Sequence, residues 1–142
     1  MRNQIRTTII LKTASNYLLP VLLIFSIFIL LRGHYLPGGG FVGGLIASIA
    51  FILHSFANGL EKTRELIGIH PGYIIPMGLA VSFLSGFMPV LLYDLPFMTG
   101  LWSHDAVPIL GHIGSALFFD IGVYLVVNGV TLTIIFTISE SA

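Results

Sequence analysis

Cysteine is absent from the 142 residues. That removes disulfides, thiolate nucleophiles, iron–sulfur ligation and cysteine zinc sites, and leaves the redox compartment open. Charge is scarce as well: Asp, Glu, Lys and Arg make up 8% of the chain, against roughly 25% in an ordinary soluble domain. A water-facing surface cannot be built from so few charged groups, whereas a chain in lipid needs them only at helix ends and in loops. The formal net charge is zero, so there is no basic field for a polyanion, and nucleic acid is excluded as a partner. No nucleophile–base pair and no cofactor cradle stands out, which argues against an enzyme.

What is present is apolar: 56% of residues are hydrophobic and mean hydropathy is +0.99. Four stretches reach the roughly 20 residues that a helix needs to cross a bilayer. They predict an all-α integral membrane protein, a single transmembrane domain over residues 1–142. Its four-helix bundle has spans at about 8–31, 41–60, 72–93 and 111–138, with a glycine-rich break between the first two. Pairing every backbone group inside lipid requires helices or a closed barrel, and these segments are too long and too uniformly apolar for barrel strands. The N-terminal run is not read as a signal peptide, because Thr13 to Leu31 is uncharged and longer than a signal core of about 7–15 residues. Four spans place both termini on one side, with Arg2, Arg6, Lys12, Lys62 and Arg64 there and Arg32 alone opposite. The positive-inside rule makes that side cytoplasmic.

The least ordinary stretch runs from Arg32 to Leu45. Pro37, Gly38, Gly39, Gly40, Gly43 and Gly44 crowd into eight positions, and such a composition does not propagate a helix. From Gly40 onward the small residues Gly40, Gly43, Gly44, Ala47 and Ser48 recur at helical spacing. They form a smooth face for a partner or for tight self-packing. Gly38 to Gly43 also fits G-x-G-x-x-G, with Glu61 near the distance of a ribose-binding acid. That fingerprint has meaning only between a strand and a helix, and here it lies between two membrane spans.

Gly33, His34, Pro37, Gly38, Gly39, Gly40, Phe41, Gly43 and Gly44 resemble the hallmark segment of the B-subunit family of Mrp-type (Mnh-type) multisubunit Na+/H+ antiporters. That family is similar in length and in its four helices. The resemblance implies a small, non-enzymatic component of a hetero-oligomeric membrane complex in the plasma membrane. The complex would exchange cytoplasmic Na+ for external H+ and serve Na+ and pH homeostasis. Na+ and H+ would be its transported ions, with no resident cofactor, and the other antiporter subunits would be its partners. Related segments in the membrane arms of energy-converting hydrogenases, and a purely structural role in assembly, are the alternatives.

Ionisable groups inside a membrane face a cavity or a partner, because each costs about 2.5–3.5 kcal/mol at the helix centre. Asp120 is the main candidate. With the fourth helix starting near Gly111 it lies about 13 Å along, near the midplane. Tyr124, Asn128 and Thr131 follow on the same face, lining either a hydrated path or a hydrogen-bonded contact with a neighbouring helix. His54, near Ser55 and Asn58, is either a proton relay or an interfacial histidine. His34 shares that choice within the hallmark segment. His104, Asp105 and His112 lack the spacing of neighbouring ligands on one helix, so no metal site is expected. On the third helix Gly78, Ser82, Ser85, Gly86 and Pro89 read as a packing face. The proline frees a carbonyl that could help coordinate a cation only if the kink meets water.

Overall fold

In the computed structural model, which describes residues 1–33, 38–107 and 111–142, the long apolar stretches fold as four helices. They are α1 (Arg2–Arg32), α2 (Gly39–Asn58), α4 (Pro71–Tyr93) and α5 (Ser115–Ser141). Two smaller features join them. A short helix α3 (Leu60–Ile67) follows α2, and an antiparallel hairpin of β1 (Trp102–Val107) and β2 (Gly111–Gly114) precedes α5. The four long helices are each apolar and long enough to cross a membrane, so the chain is a multi-pass membrane protein.

Several boundaries differ from the sequence expectation. The first helix starts at Arg2 instead of Thr8, because nothing between them is a proline or glycine that would stop it. The second span ends at Asn58 instead of Leu60, and most of the segment Glu61 to Pro71, expected as a loop, belongs to α3, which is set off by Gly59 and Gly68 at φ 96° and 75°. The last helix starts at Ser115, not Gly111. Residues 111–114 pair instead with β1 through Trp102↔Gly114 and Val107↔Gly111, and Gly114 is extended at φ −124°, ψ 169°.

Glycine and proline punctuate the ends. Gly38, at φ 92°, is left-handed at the N-cap of α2, a conformation that costs any residue with a Cβ. Pro71 opens α4, where its missing N–H is no loss, and His70 Nδ1 accepts from the Gly72 N–H at 3.0 Å. At the other end of α4 the chain turns at Asp94, left-handed at φ 50°, and the Pro89 carbonyl accepts from the Asp94 N–H and, at 3.2 Å, from the Leu95 N–H.

The helices lie side by side, with α2 and α5 in the centre, α1 against α2 and α4 against α5. Neighbours α1 and α2 are antiparallel, Gly33 meeting Gly39 at one end and Asn16 meeting Asn58 at the other. The pair α2 and α5 runs parallel, Gly40 lying on Asp120 and Ser48 on Asn128. Both termini and α3 therefore share one end of the layer, and the glycine-rich segment and the hairpin share the other. Ala47, Ala50, Leu132 and Phe136 form the buried apolar centre. Large apolar side chains cover the outside, among them Ile24, Phe25, Phe83 and Leu91, as a surface facing lipid or neighbouring chains requires.

Candidate functional site

The hallmark glycines of α2 face α5 of the same chain. A Cβ added to Gly40 would fall on the Asp120 carbonyl oxygen. One on Gly43 would lie 2.9 Å from the Ser26 carbonyl oxygen and 3.2 Å from the Tyr124 ring. One on Gly44 would lie 2.9 Å from both the Tyr124 carbonyl oxygen and Val127 Cβ. The small-residue face thus serves tight packing within the chain. The same device joins α4 to α5, where a Cβ on Gly78 would come within 2.6 Å of the Gly122 carbonyl oxygen, and one on Gly129 within 2.9 Å of Ile75. Gly39 lies against Gly33 across the break. Phe41 projects outward, half exposed. His34 and Pro37 lie outside the described residues, as do the side chains of Asp105 and His112; His104 is exposed.

Close backbone approach brings buried polar groups within reach of each other. The Ser26 hydroxyl donates to the Leu23 carbonyl at 2.7 Å, so the Tyr124 phenol is left to donate to Ser26 Oγ, 2.9 Å away. One turn further along α5, Asn128 Oδ1 accepts from Ser48 Oγ at 3.0 Å, a hydroxyl shared with the Gly44 carbonyl at 2.8 Å. Tyr124 and Asn128 therefore tie α5 to α1 and α2. Thr131, next on the stripe, is half-buried. The partners Ser26 and Ser48 are both fully buried. Ser48 belonged to the small-residue face, whereas Ser26, a single hydroxyl in an apolar run, gave no signal in the sequence.

A third contact closes the end that carries the termini. His54 Nδ1 lies 2.8 Å from the fully buried Thr63 Oγ1. Thr63 donates its own hydrogen to the Gly59 carbonyl at 3.0 Å, which leaves His54 Nδ1–H as the donor between them. Arg64 on α3 pairs with Glu140 near the end of α5, and its guanidinium lies 5.9 Å from the Phe136 ring centre. The short helix is a strap across the ends of α2 and α5. In the sequence Arg64 served only as a topological charge, and nothing there marked Thr63 or Glu140.

Asp120 is not at the midplane. Counted from Ser115 it lies about 7 Å along α5, and the middle of the 27-residue helix falls at Asn128. Asp120 is half-buried, one turn and a half inside the hairpin end, where Gly40 presses on its backbone. Two pockets open beside it on the α4 side. One, of about 490 Å³, is apolar and includes Leu79, Phe83, Phe97 and Phe119. The other, of about 150 Å³, includes Ser85, Gly86, Thr99 and Ser115, so the small face of α4 ends at a partly polar hollow. Neither is lined by Asp120, Tyr124 or Asn128.

Four apolar helices locked by glycine contacts and by buried hydroxyl, phenol and amide pairs define a small multi-pass membrane protein. Within that class the chain belongs to the family of domains related to the MnhB subunit of Na+/H+ antiporter, whose family model matches residues 10–133. It is 40% identical over 142 residues to the B subunit of a Na+/H+ antiporter from Bacillus subtilis, covering 99% of each chain. It is 34% identical to a probable K+/H+ antiporter A/B subunit of Rhizobium meliloti, over 89% of this chain and 13% of that much longer one. Its fold matches part of the Mrp complex from Dietzia sp. DQ12-45-1b with a TM-score of 0.76 and 28% identity, covering 92% of this chain and 14% of that one.

Proposed function

We propose that this chain is a small subunit of a multisubunit cation/proton antiporter, with other antiporter subunits as its partners. In this reading it sits in the cell membrane, both termini cytoplasmic, and the complex exchanges cytoplasmic Na+ for external H+ to control Na+ and pH. As part of a secondary transporter the chain is not an enzyme and holds no resident cofactor. The observation that carries the reading is likeness to the B subunit of an antiporter over the full length of both chains. Because another relative is named for K+, the cation is the part of the proposal most open to test, by comparing Na+, Li+ and K+ as driving ions.

Charge distribution supports the orientation: Arg2, Arg6, Lys12, Lys62 and Arg64 lie at the end with the termini, and cytoplasmic ends attract such an excess. Since the chain has no cysteine, one introduced at Ser141 is a unique label. It should react with an impermeant thiol reagent only after cells are opened, and a His104→Cys variant should react in intact cells. The reverse pattern would invert the topology.

Asp120 is the carboxylate on the spanning helices furthest from a cytoplasmic end, and it is the one we assign to an ion path. Proton carriage requires a group that changes charge, which a carboxylate supplies and an amide such as Asn128 does not. Asp120→Asn keeps the shape and removes the titration. In complexes shown to be complete it is expected to lower Na+-dependent proton exchange in vesicles at least about a hundredfold, the low end for losing a proton-transfer group. Unchanged exchange would leave the chain in an assembly role while its partners conduct the ions, a reading that the paired Tyr124 and Asn128 already favour for those two residues.

A further inference from the structure

After α4 ends at Tyr93 the chain turns back along it. The Met98 N–H donates to the Gly86 carbonyl at 3.1 Å, and Gly86 lies seven residues before the end of the helix, about 10 Å along its axis. Only glycine admits this approach, since a Cβ there would lie 2.9 Å from Met98 Sδ and 3.0 Å from the Phe97 ring. Leu101 is then held against the first residue of α5. Its N–H donates to Ser115 Oγ at 3.1 Å, and its carbonyl accepts from the Ser115 N–H at 2.8 Å. A non-helical segment thus runs beside the last turns of α4, where Leu84, Leu91 and Leu92 are exposed as an apolar outer surface. Irregular backbone at membrane depth is tolerated only where it is buried in protein or lines a water-filled cavity. Leu95 to Met98 are exposed, so burial within this chain does not meet the condition.

The hollow of about 150 Å³ lies between this segment, α4 and the start of α5. Ser85 and Ser115 are buried in it, whereas Thr99 is half-buried and Gly100 exposed, which puts its mouth at the loop. The volume is many times the about 10–15 Å³ that one water requires. Its polar groups suit water in both directions. The Ser85 hydroxyl donates to the Ser82 carbonyl at 2.9 Å and the Thr99 hydroxyl to the Pro96 carbonyl at 2.6 Å, so each has only lone pairs left to offer. Ser115 Oγ, already the acceptor for Leu101, keeps its own hydrogen to donate. Pro89, inside α4, has no N–H to give to the Ser85 carbonyl. The Gly100 N–H finds no main-chain partner among the described residues. The N-terminal end of α5 borders the same space, and its positive dipole disfavours a bare cation there.

We infer that this hollow is a water-filled inlet, open at the end that carries the hairpin and ending one helical turn from Asp120. Ala116, in its wall, and Asp120 are four residues apart and share a face of α5. The inlet brings water toward the carboxylate assigned above to an ion path. It therefore deepens that reading, and it takes its outward sidedness from the orientation proposed there. The neighbouring pocket of about 490 Å³, walled by Phe83, Phe97 and Phe119, is apolar and takes no water.

The test uses the whole complex in cells, with single cysteines in this otherwise cysteine-free chain. Ser85→Cys probes the hollow, and Ala116→Cys replaces it if the first variant does not assemble. Leu84→Cys is the control, at the depth of Ser85 but 65% exposed on the outer face of α4. The probe is the impermeant anion 2-sulfonatoethyl methanethiosulfonate, read as mass added to this chain in complexes recovered intact. It attacks the thiolate, which apolar surroundings suppress. The hollow cysteine should react at least about tenfold faster than Leu84→Cys, the effect of one pKa unit on the thiolate fraction, and from the side at which His104→Cys reacts. A rate no greater than that of Leu84→Cys, or labelling only from the side opposite His104→Cys, would overturn the inference. The two readings beneath it are scored apart. If the hollow cysteine and His104→Cys both react only in opened cells, the inlet stands and the orientation has failed. If the hollow reacts but Asp120→Asn leaves exchange unchanged, the inlet stands and the ion path has failed.

Discussion

Tyr124 shows most clearly how one residue can be read two ways. In the sequence it follows Asp120 by one helical turn and so extends a polar stripe toward the middle of the last span. In the structure its hydroxyl sits 2.9 Å from Ser26 Oγ on α1, and its ring lies against the space left by Gly43. A hydrogen bond between membrane helices contributes on average about 0.6 and at most about 1.7 kcal/mol, because the separated helices find other partners. Tyr124→Phe should therefore lower the stability of the purified chain in detergent by roughly 1 kcal/mol while cation-driven exchange persists. Loss of exchange in a stable, assembled variant would return Tyr124 to the ion path. Which stripe residues are engaged was not legible in the sequence, since Ser26 lies 98 positions from Tyr124 and nothing local marks the pair.

At the scale of elements, glycine sets the distances on which those pairs depend. Helix α2 meets α5 through Gly40, Gly43 and Gly44, and α4 meets α5 through Gly78, Gly122 and Gly129. Without a hydrophobic drive between helices in lipid, such close contacts supply the packing. Gly44→Leu would force its side chain into the Tyr124 backbone and Val127, and overpacking of this kind costs about 1–3 kcal/mol or more. The variant should be recovered in lower amount and be cleaved faster by protease than the parent; equal yield and equal protection would show that α2 and α5 do not meet at this face. Much of this level was legible. The four spans followed from length and hydropathy, and the small-residue face from its spacing. The start of α5 was not, because the charge-free run continues upstream through Gly111 to Gly114 and hydropathy does not distinguish a strand from the first turn of a span. That difference of four residues placed Asp120 at mid-membrane in the sequence and left Asn128, the true centre of α5, as one member of a stripe. The strap α3 was missed because its eight residues are too few for periodicity to speak, and because Arg64 anchors it to Glu140, far along the chain.

For the whole molecule, the layer of α1, α2, α5 and α4 leaves two edge helices with broad apolar faces. A short chain built this way suits a place among other membrane subunits, and likeness over its full length to the B subunit of an antiporter names the kind of assembly. The most direct test is cation-driven proton movement in inverted membrane vesicles from cells that lack this chain, followed by vesicles from cells in which it is restored. Adding Na+ to energised vesicles should collapse the preformed pH gradient only when the chain is present. A gradient that collapses equally in its absence would contradict the account.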